Sequence, residues 1–291
     1  MSVAPRSAAL ALAATLVAAL AACAPQDEPA DSPATASPSA SCAKDQLKLT
    51  SPGKFTVGTD KPAYEPWFVD DTPANGKGYE SAVAYAVAEK LGFAATDVSW
   101  IVVPFTNAYA PGDKKFDVDI NQVSITEPRR KAVDFSSGYY DLAQTVVSVK
   151  GSPIAAAKTV AALKDAKLGA QVGTTSYTAI QEQIQPSKKA AVYDTNDLAV
   201  QALQNGQLDG IVVDLPTAFY MASAQLKDGL IVGQLPPAAS GKPDQLGMVL
   251  AKGSPLTPCV SQAVDALKAD GTLDKLESQW LSGADGAPKL S

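Results

Sequence analysis

Strand-like and helix-like segments alternate along this chain, and they do so in two successive sets. Phe55-Thr56-Val57-Gly58-Thr59 is a short run rich in β-branched residues. Residues 80–91 then carry apolar side chains at helical spacing and stop at Gly92, and residues 98–103 read as a strand again. This is βαβ grammar, in which parallel strands are joined through a helix. A second set follows Lys150-Gly151-Ser152-Pro153: a helix through Val160-Ala161-Ala162-Leu163, strands at 167–172 and 190–193, a helix at 196–204 and a strand at 208–214. The last segments, a strand at 248–251 and a helix at 258–268, have no sheet of their own to join. With 291 residues, 46% of them hydrophobic, the chain has enough material for two lobes.

The N-terminal region reads as export machinery. Arg6 is the only charge before a run of Ala, Leu and Val that ends in Leu20-Ala21-Ala22-Cys23, so residues 1–22 are expected to be a signal peptide. The apolar run is too short and too Ala-rich for a bilayer span, and no later stretch approaches the roughly 20 apolar residues that spanning requires. The Leu-Ala-Ala-Cys ending resembles the lipobox of bacterial lipoproteins, which implies that Cys23 is acylated and holds the protein on the outer face of the cell membrane. An ordinary secreted protein with an incidental Cys23 is the alternative. Residues 23–42 then comprise the lipidated N-terminus and a Pro/Ala/Ser linker too poor in large apolar groups to offset the entropy of folding.

With Cys23 set aside, Cys42 and Cys259 remain, and an exported compartment permits them to pair; two separate buried thiols are the other reading. A Cys42–Cys259 bridge returns the last strand and helix to the first lobe. The expected layout is therefore a first lobe of residues 43–148 plus 246–291 and a second lobe of 149–245, reached by two crossover strands that act as a hinge. Open α/β sheets of this kind bind ligands beyond the carboxyl ends of their strands.

Composition narrows the chemistry. There are 24 basic and 30 acidic residues, with no cluster of Lys or Arg that could follow a phosphate backbone, so nucleic acid is not an expected partner. Histidine is absent, which removes the commonest general base and the commonest transition-metal ligand; no metal or cofactor is expected.

Four ordered groups of residues carry a family resemblance over nearly all of the chain after Cys42. They are Gly58-Thr59-Asp60 with Tyr64, Pro66 and Trp67; Val123-Ser124-Ile125-Thr126-Glu127-Pro128-Arg129 with Val133-Asp134-Phe135-Ser136; Val172-Gly173-Thr174-Thr175-Ser176; and Asp209-Gly210 with Asp214, followed by Ala269-Asp270-Gly271-Thr272-Leu273. In this order they resemble the polar amino-acid-binding proteins of ABC importers. The resemblance implies an α/β, two-lobed periplasmic-binding-protein-like fold with a two-strand hinge. It also implies a monomer that closes on a small polar amino acid and delivers it to an ABC transporter permease.

The same resemblance assigns the site, and each assignment suits a zwitterion. Arg129 offers a planar fork to the ligand's α-carboxylate. Thr174 and Thr175 follow a glycine turn and would form its second clamp, with Ser124 contributing a hydroxyl from the first lobe. Asp214, at the end of its strand, would take the α-ammonium group. Asp60, Tyr64 and Trp67 would meet the side chain, the aromatic pair as walls, with ordinary core packing the other reading of Trp67. The sequence departs from the family pattern at Asn121-Gln122, where many relatives carry small residues, and at Phe105–Pro111, which replaces the usual helix. Asn121 and Gln122 are accordingly expected in the site, and Tyr109 is either a wall or a loop anchor. Fold alone does not fix function. A ligand sensor reporting to a membrane receptor would look the same, and a dehydratase-like enzyme would need an acid or base from Asp60, Glu65 or Asp119.

Overall fold

The computed structural model describes residues 42–237, 243–281 and 286–291. The expected signal peptide, the expected lipidation site at Cys23 and the expected linker up to residue 41 lie outside the described residues.

Two five-stranded mixed sheets organise the described chain. Its strands are β1 (Phe55–Thr59), β2 (Val98–Val102), β3 (Val118–Asp119), β4 (Val133–Phe135), β5 (Tyr140–Leu142), β6 (Gln144–Val149), β7 (Leu168–Gln171), β8 (Ala191–Tyr193), β9 (Gly210–Asp214), β10 (Gly229–Gln234), β11 (Asp244–Leu246) and β12 (Val249–Ala251). The first sheet runs β2-β1-β3-β12-β4 and the second β10-β6-β9-β7-β8, while β5 and β11 form a separate antiparallel pair. In the first sheet β1, β2 and β3 are parallel and β12 is antiparallel to its neighbours; in the second, β7 is parallel to β8 and β9, and β6 is antiparallel to β9 and β10.

Helices α1 (Tyr79–Lys90), α2 (Phe105–Ala108) and α3 (Glu127–Arg130) belong to the first lobe. Helices α4 (Thr175–Ala179), α5 (Asn196–Gln204) and α6 (Leu215–Tyr220) belong to the second, and α7 (Thr257–Ala269) with α8 (Thr272–Trp280) pack back on α1. α4 runs on into a π-helical turn at Ile180–Ile184. α1 begins after Gly78, at φ +94°, where a Cβ would stand 2.5 Å from the Trp67 carbonyl oxygen. That close approach and the positive φ select glycine. The first core is aromatic at its centre: Trp67, Tyr79 and Tyr140 meet edge to face, with Phe55, Phe68 and Phe93 around them. The second sheet is covered on both faces by apolar clusters around Ile180 and Ile184 on one side and Leu203 and Met221 on the other.

The structure corrects three expectations. β6 is a strand of the second sheet, so the first crossover falls at β5, Tyr140–Leu142, ahead of the expected 148/149 boundary. Its residues, Gln144-Thr145-Val146-Val147-Ser148-Val149, are buried on both faces apart from Val149, so no regular alternation of apolar and polar side chains marks the change of lobe. Residues 286–291 do not belong with the first lobe either: Leu290 sits in the core of the second, Lys289 bridges Gln234, and Ser291 exchanges backbone hydrogen bonds with Lys158 and Val160. The Phe105–Pro111 segment, expected to lack a helix, carries the single turn of α2. Cys42 and Cys259 are joined by a disulfide, with Cα atoms 5.4 Å apart, which pins the start of the described chain to α7. Among the described residues no helix is long and apolar enough to cross a membrane.

Candidate functional site

The carboxyl ends of β1, β7 and β9 converge on a cleft between the lobes with about 570 Å³ of unfilled space, part of it continuous with solvent. Asp60, Tyr64, Asn121, Gln122, Ser124 and Arg129 line it from one lobe, and Thr174, Thr175 and Asp214 from the other. Nine of the ten residues expected to bind ligand are thus brought together; Trp67 is not.

Arg129 is placed by a local device. Thr126 precedes α3 in extended conformation and accepts the Arg129 N–H, so the short helix starts where the side chain turns inward. The guanidinium is buried, donates to the Ser124 carbonyl at 2.7 Å and to the Gly173 carbonyl at 2.9 Å, and lies 4.4 Å from the centre of the Tyr109 ring. Burial works against its charge, and Tyr109, Asp214 and Asp244 support it. Gly173 has φ +73°, and a Cβ there would meet the Tyr109 hydroxyl at 2.3 Å. Tyr109 is therefore a platform beneath Arg129, and its hydroxyl donates across the cleft to the Gly173 carbonyl.

Hydroxyls close the cleft beside Arg129. Ser124 Oγ and Thr175 Oγ1, from opposite lobes, stand 3.0 Å apart. The Thr174 hydroxyl is already engaged: it donates to the Gln171 carbonyl and accepts the Tyr177 N–H as the N-cap of α4. Asp214 ends β9 and precedes α6, yet makes no capping bond to that helix. Its Oδ1 accepts from Gln144 Nε2 at 2.9 Å. Burial pushes its carboxyl up to about 7, against the pull of the Gln144 hydrogen bond and of Arg129. Asp60 lines the cleft and accepts the backbone N–H groups of Lys61 and Phe105, which hold its carboxylate in place. The Asn121 side chain is 7% exposed, and its Nδ2 is buried without a partner.

Two expected residues have other work. Trp67 lies wholly within the first lobe's core, where it packs on Tyr79 and Tyr140, and its Nε1–H donates to Thr217 Oγ1 of α6 at 2.9 Å. It is a link between the lobes and not a wall of the cleft. Gln122, at φ +49°, lines the cleft but spends both its backbone N–H and its Nε2 on the buried Glu80 carboxylate, which also accepts from the Tyr139 hydroxyl. Burial raises Glu80 to about 7 although these donors favour its ionised form. Asp119, buried nearby, is raised well above the usual carboxylate range by burial and by the charges of Glu80 and Asp60. Sequence reasoning missed Gln171, Asn196 and Thr217 of the lining, and Gln144 behind Asp214; an amide or hydroxyl at a strand end or a helix start gives no signal by itself.

With one guanidinium and two carboxylates among its lining residues, the cleft suits a molecule that carries both signs of charge. The comparisons agree with that chemistry. Residues 55–283 match the family described as bacterial extracellular solute-binding proteins, family 3. The chain is 28% identical over 240 residues to the L-cystine-binding protein TcyJ of Escherichia coli strain K12, covering 82% of this chain and 86% of that one. Among solved structures it is similar to an ancestral arginine-binding protein bound to arginine, with TM-score 0.64, 31% identity, and coverage of 78% of this chain and 98% of the other. It is also similar to an ancestral amino acid-binding protein described as a precursor of cyclohexadienyl dehydratase, with TM-score 0.64, 31% identity, and coverage of 79% and 96%.

Proposed function

The chain belongs to family 3 of the bacterial extracellular solute-binding proteins, and from this we propose that it captures a polar amino acid outside the cytoplasm by closure of its two lobes and delivers it to an ABC transporter. One observation carries the reading: a buried guanidinium and a half-buried carboxylate, Arg129 and Asp214, face one polar cleft from opposite lobes. The α-carboxylate of the ligand pairs with Arg129 and takes hydrogen bonds from Ser124 and Thr175. Its α-ammonium pairs with Asp214. The carboxylate then draws on both lobes and the ammonium on the second, so the ligand favours the closed arrangement by bridging them.

With Arg129 and Asp214 so used, Asp60 is the remaining charge in the lining, and it favours a side chain that ends in a cation or a hydrogen-bond donor. Asn121 and Tyr64 share the lining with it and add polar groups that can read the same end. The relatives named above are binding proteins, and the reading asks for no turnover. The Leu20-Ala21-Ala22-Cys23 sequence supports lipidation at Cys23 and anchoring on the outer face of the membrane, which would keep the protein close to its permease.

The test is a thermal-shift screen of the purified protein against the twenty common amino acids, cystine, ornithine and citrulline. An amino acid at a hundred times its dissociation constant adds about 2.7 kcal/mol to the stability of the bound form. Arg129→Ala and Asp214→Asn should each weaken binding about tenfold or more, as loss of a buried charge-assisted hydrogen bond does. A screen in which none of these compounds raises the melting temperature would sink the reading.

A further inference from the structure

The register of β6 against β9 sets Gln144 directly opposite Asp214. Partners across an antiparallel pair project their side chains on the same face, so the pairing itself brings the amide to the carboxylate. Gln144 Nε2 donates to Asp214 Oδ1 at 2.9 Å and lies 3.3 Å from Thr175 Oγ1, its donor. An amide nitrogen has two hydrogens, one for each acceptor, and a threonine hydroxyl that accepts from Gln144 keeps its own hydrogen for Ser124, 3.0 Å away in the other lobe. The Gln144 side chain is 6% exposed and so is held in this arrangement. It is also the first residue of β6, two positions past the last residue of hinge strand β5.

We propose that Gln144 is a positioning residue for amino-acid binding: its two amide hydrogens fix the Asp214 carboxylate and the Thr175 hydroxyl in the geometry that receives the ligand's two charged ends. This rests on the functional reading above. A ligand ammonium needs Asp214 ionised, and three groups besides Gln144 act on that ionisation or respond to it. Arg129 on α3 favours it, Asp244 on β11 opposes it, and Glu80 on α1 feels the Asp214 charge from the first lobe. Removal of the Gln144 donor leaves burial and Asp244 less opposed, and the Asp214 titration moves up from about 7.

The experiment uses Gln144→Met, of similar length without a donor, and follows the Asp214 carboxyl by 13C NMR in the unliganded protein across pH 5 to 10. The expected midpoint rises by about one pH unit. In parallel, calorimetric titration with L-arginine, and with L-glutamine if arginine does not bind, should show affinity about tenfold weaker than wild type at pH 7, with the gap narrowing at pH 9. A variant with the wild-type midpoint and the wild-type pH profile overturns the assignment. If the wild type binds neither compound nor any amino acid of the screen, the functional reading fails, and the NMR midpoint alone then decides the positioning claim. Should Gln144→Met not fold, Gln144→Leu, which also removes the donor and adds no charge, is measured in the same way; there an unshifted Asp214 counts against the proposal.

Discussion

Glu80 shows how far a site depends on side chains that never reach it. It sits at the start of α1, fully buried, and its carboxylate holds the backbone and side chain of Gln122, the residue whose left-handed conformation turns the chain between Asn121 and Ser124. Its folded-state pKa is raised, to about 7, so between its unfolded value and 7 the native state binds more protons than the unfolded chain. That contribution favours the fold fully at low pH and is lost as pH rises through about 7; Asp214 acts with the same sign. Glu80→Gln keeps an acceptor for Gln122 and removes the titration, so melting temperatures compared at pH 5 and pH 8 should differ less in the variant than in the wild type. An equal difference would show that Glu80 is not the group concerned. From sequence, Arg129, Asp214 and Ser124 were legible because motif and local geometry coincide there. Gln122 was not, because the partner that consumes its amide lies 42 residues earlier in the chain.

Elements were legible where their periodicity was clean. α5 has the expected bounds, and α1, α7, β2 and β7 differ from expectation by a residue or two. β6 and β10 escaped because strands covered on both faces lose the alternation that marks a strand. Trp67 escaped for the opposite reason: residues 61–77 carry no periodicity, so nothing in them says which way an aromatic ring points. The ring points inward, and its Nε1–H reaches α6 of the other lobe through Thr217. Trp67→Phe retains most of the packing and loses one hydrogen bond, worth about 0.5–1.5 kcal/mol. If that bond belongs to the closed arrangement, ligand affinity should fall by roughly two- to tenfold while the unliganded protein melts at nearly the wild-type temperature. Unchanged affinity by titration calorimetry would place the bond equally in both arrangements.

For the whole molecule, the alternation of strands and helices was enough to expect two lobes, the pairing of Cys42 with Cys259 brought in the return of the last strand and helix to the first, and β12 does lie in the first sheet. The disulfide closes a loop spanning 217 positions around both lobes. In the chain-entropy description such a loop contributes about 5 kcal/mol by restricting the unfolded chain. Reduction, or the paired change Cys42→Ser with Cys259→Ser, should therefore lower the melting temperature by several degrees while leaving ligand affinity within about twofold, since neither sulfur faces the cleft. What sequence could not supply was the third passage of the chain, from Leu281 in the first lobe to Leu290 in the second. Two strands alone define an axis about which one body can swing, as a door does on two pins. A third attachment is added at Leu290, seated beside Gly233, which fastens the second lobe to the same chain that leaves the first at Leu281.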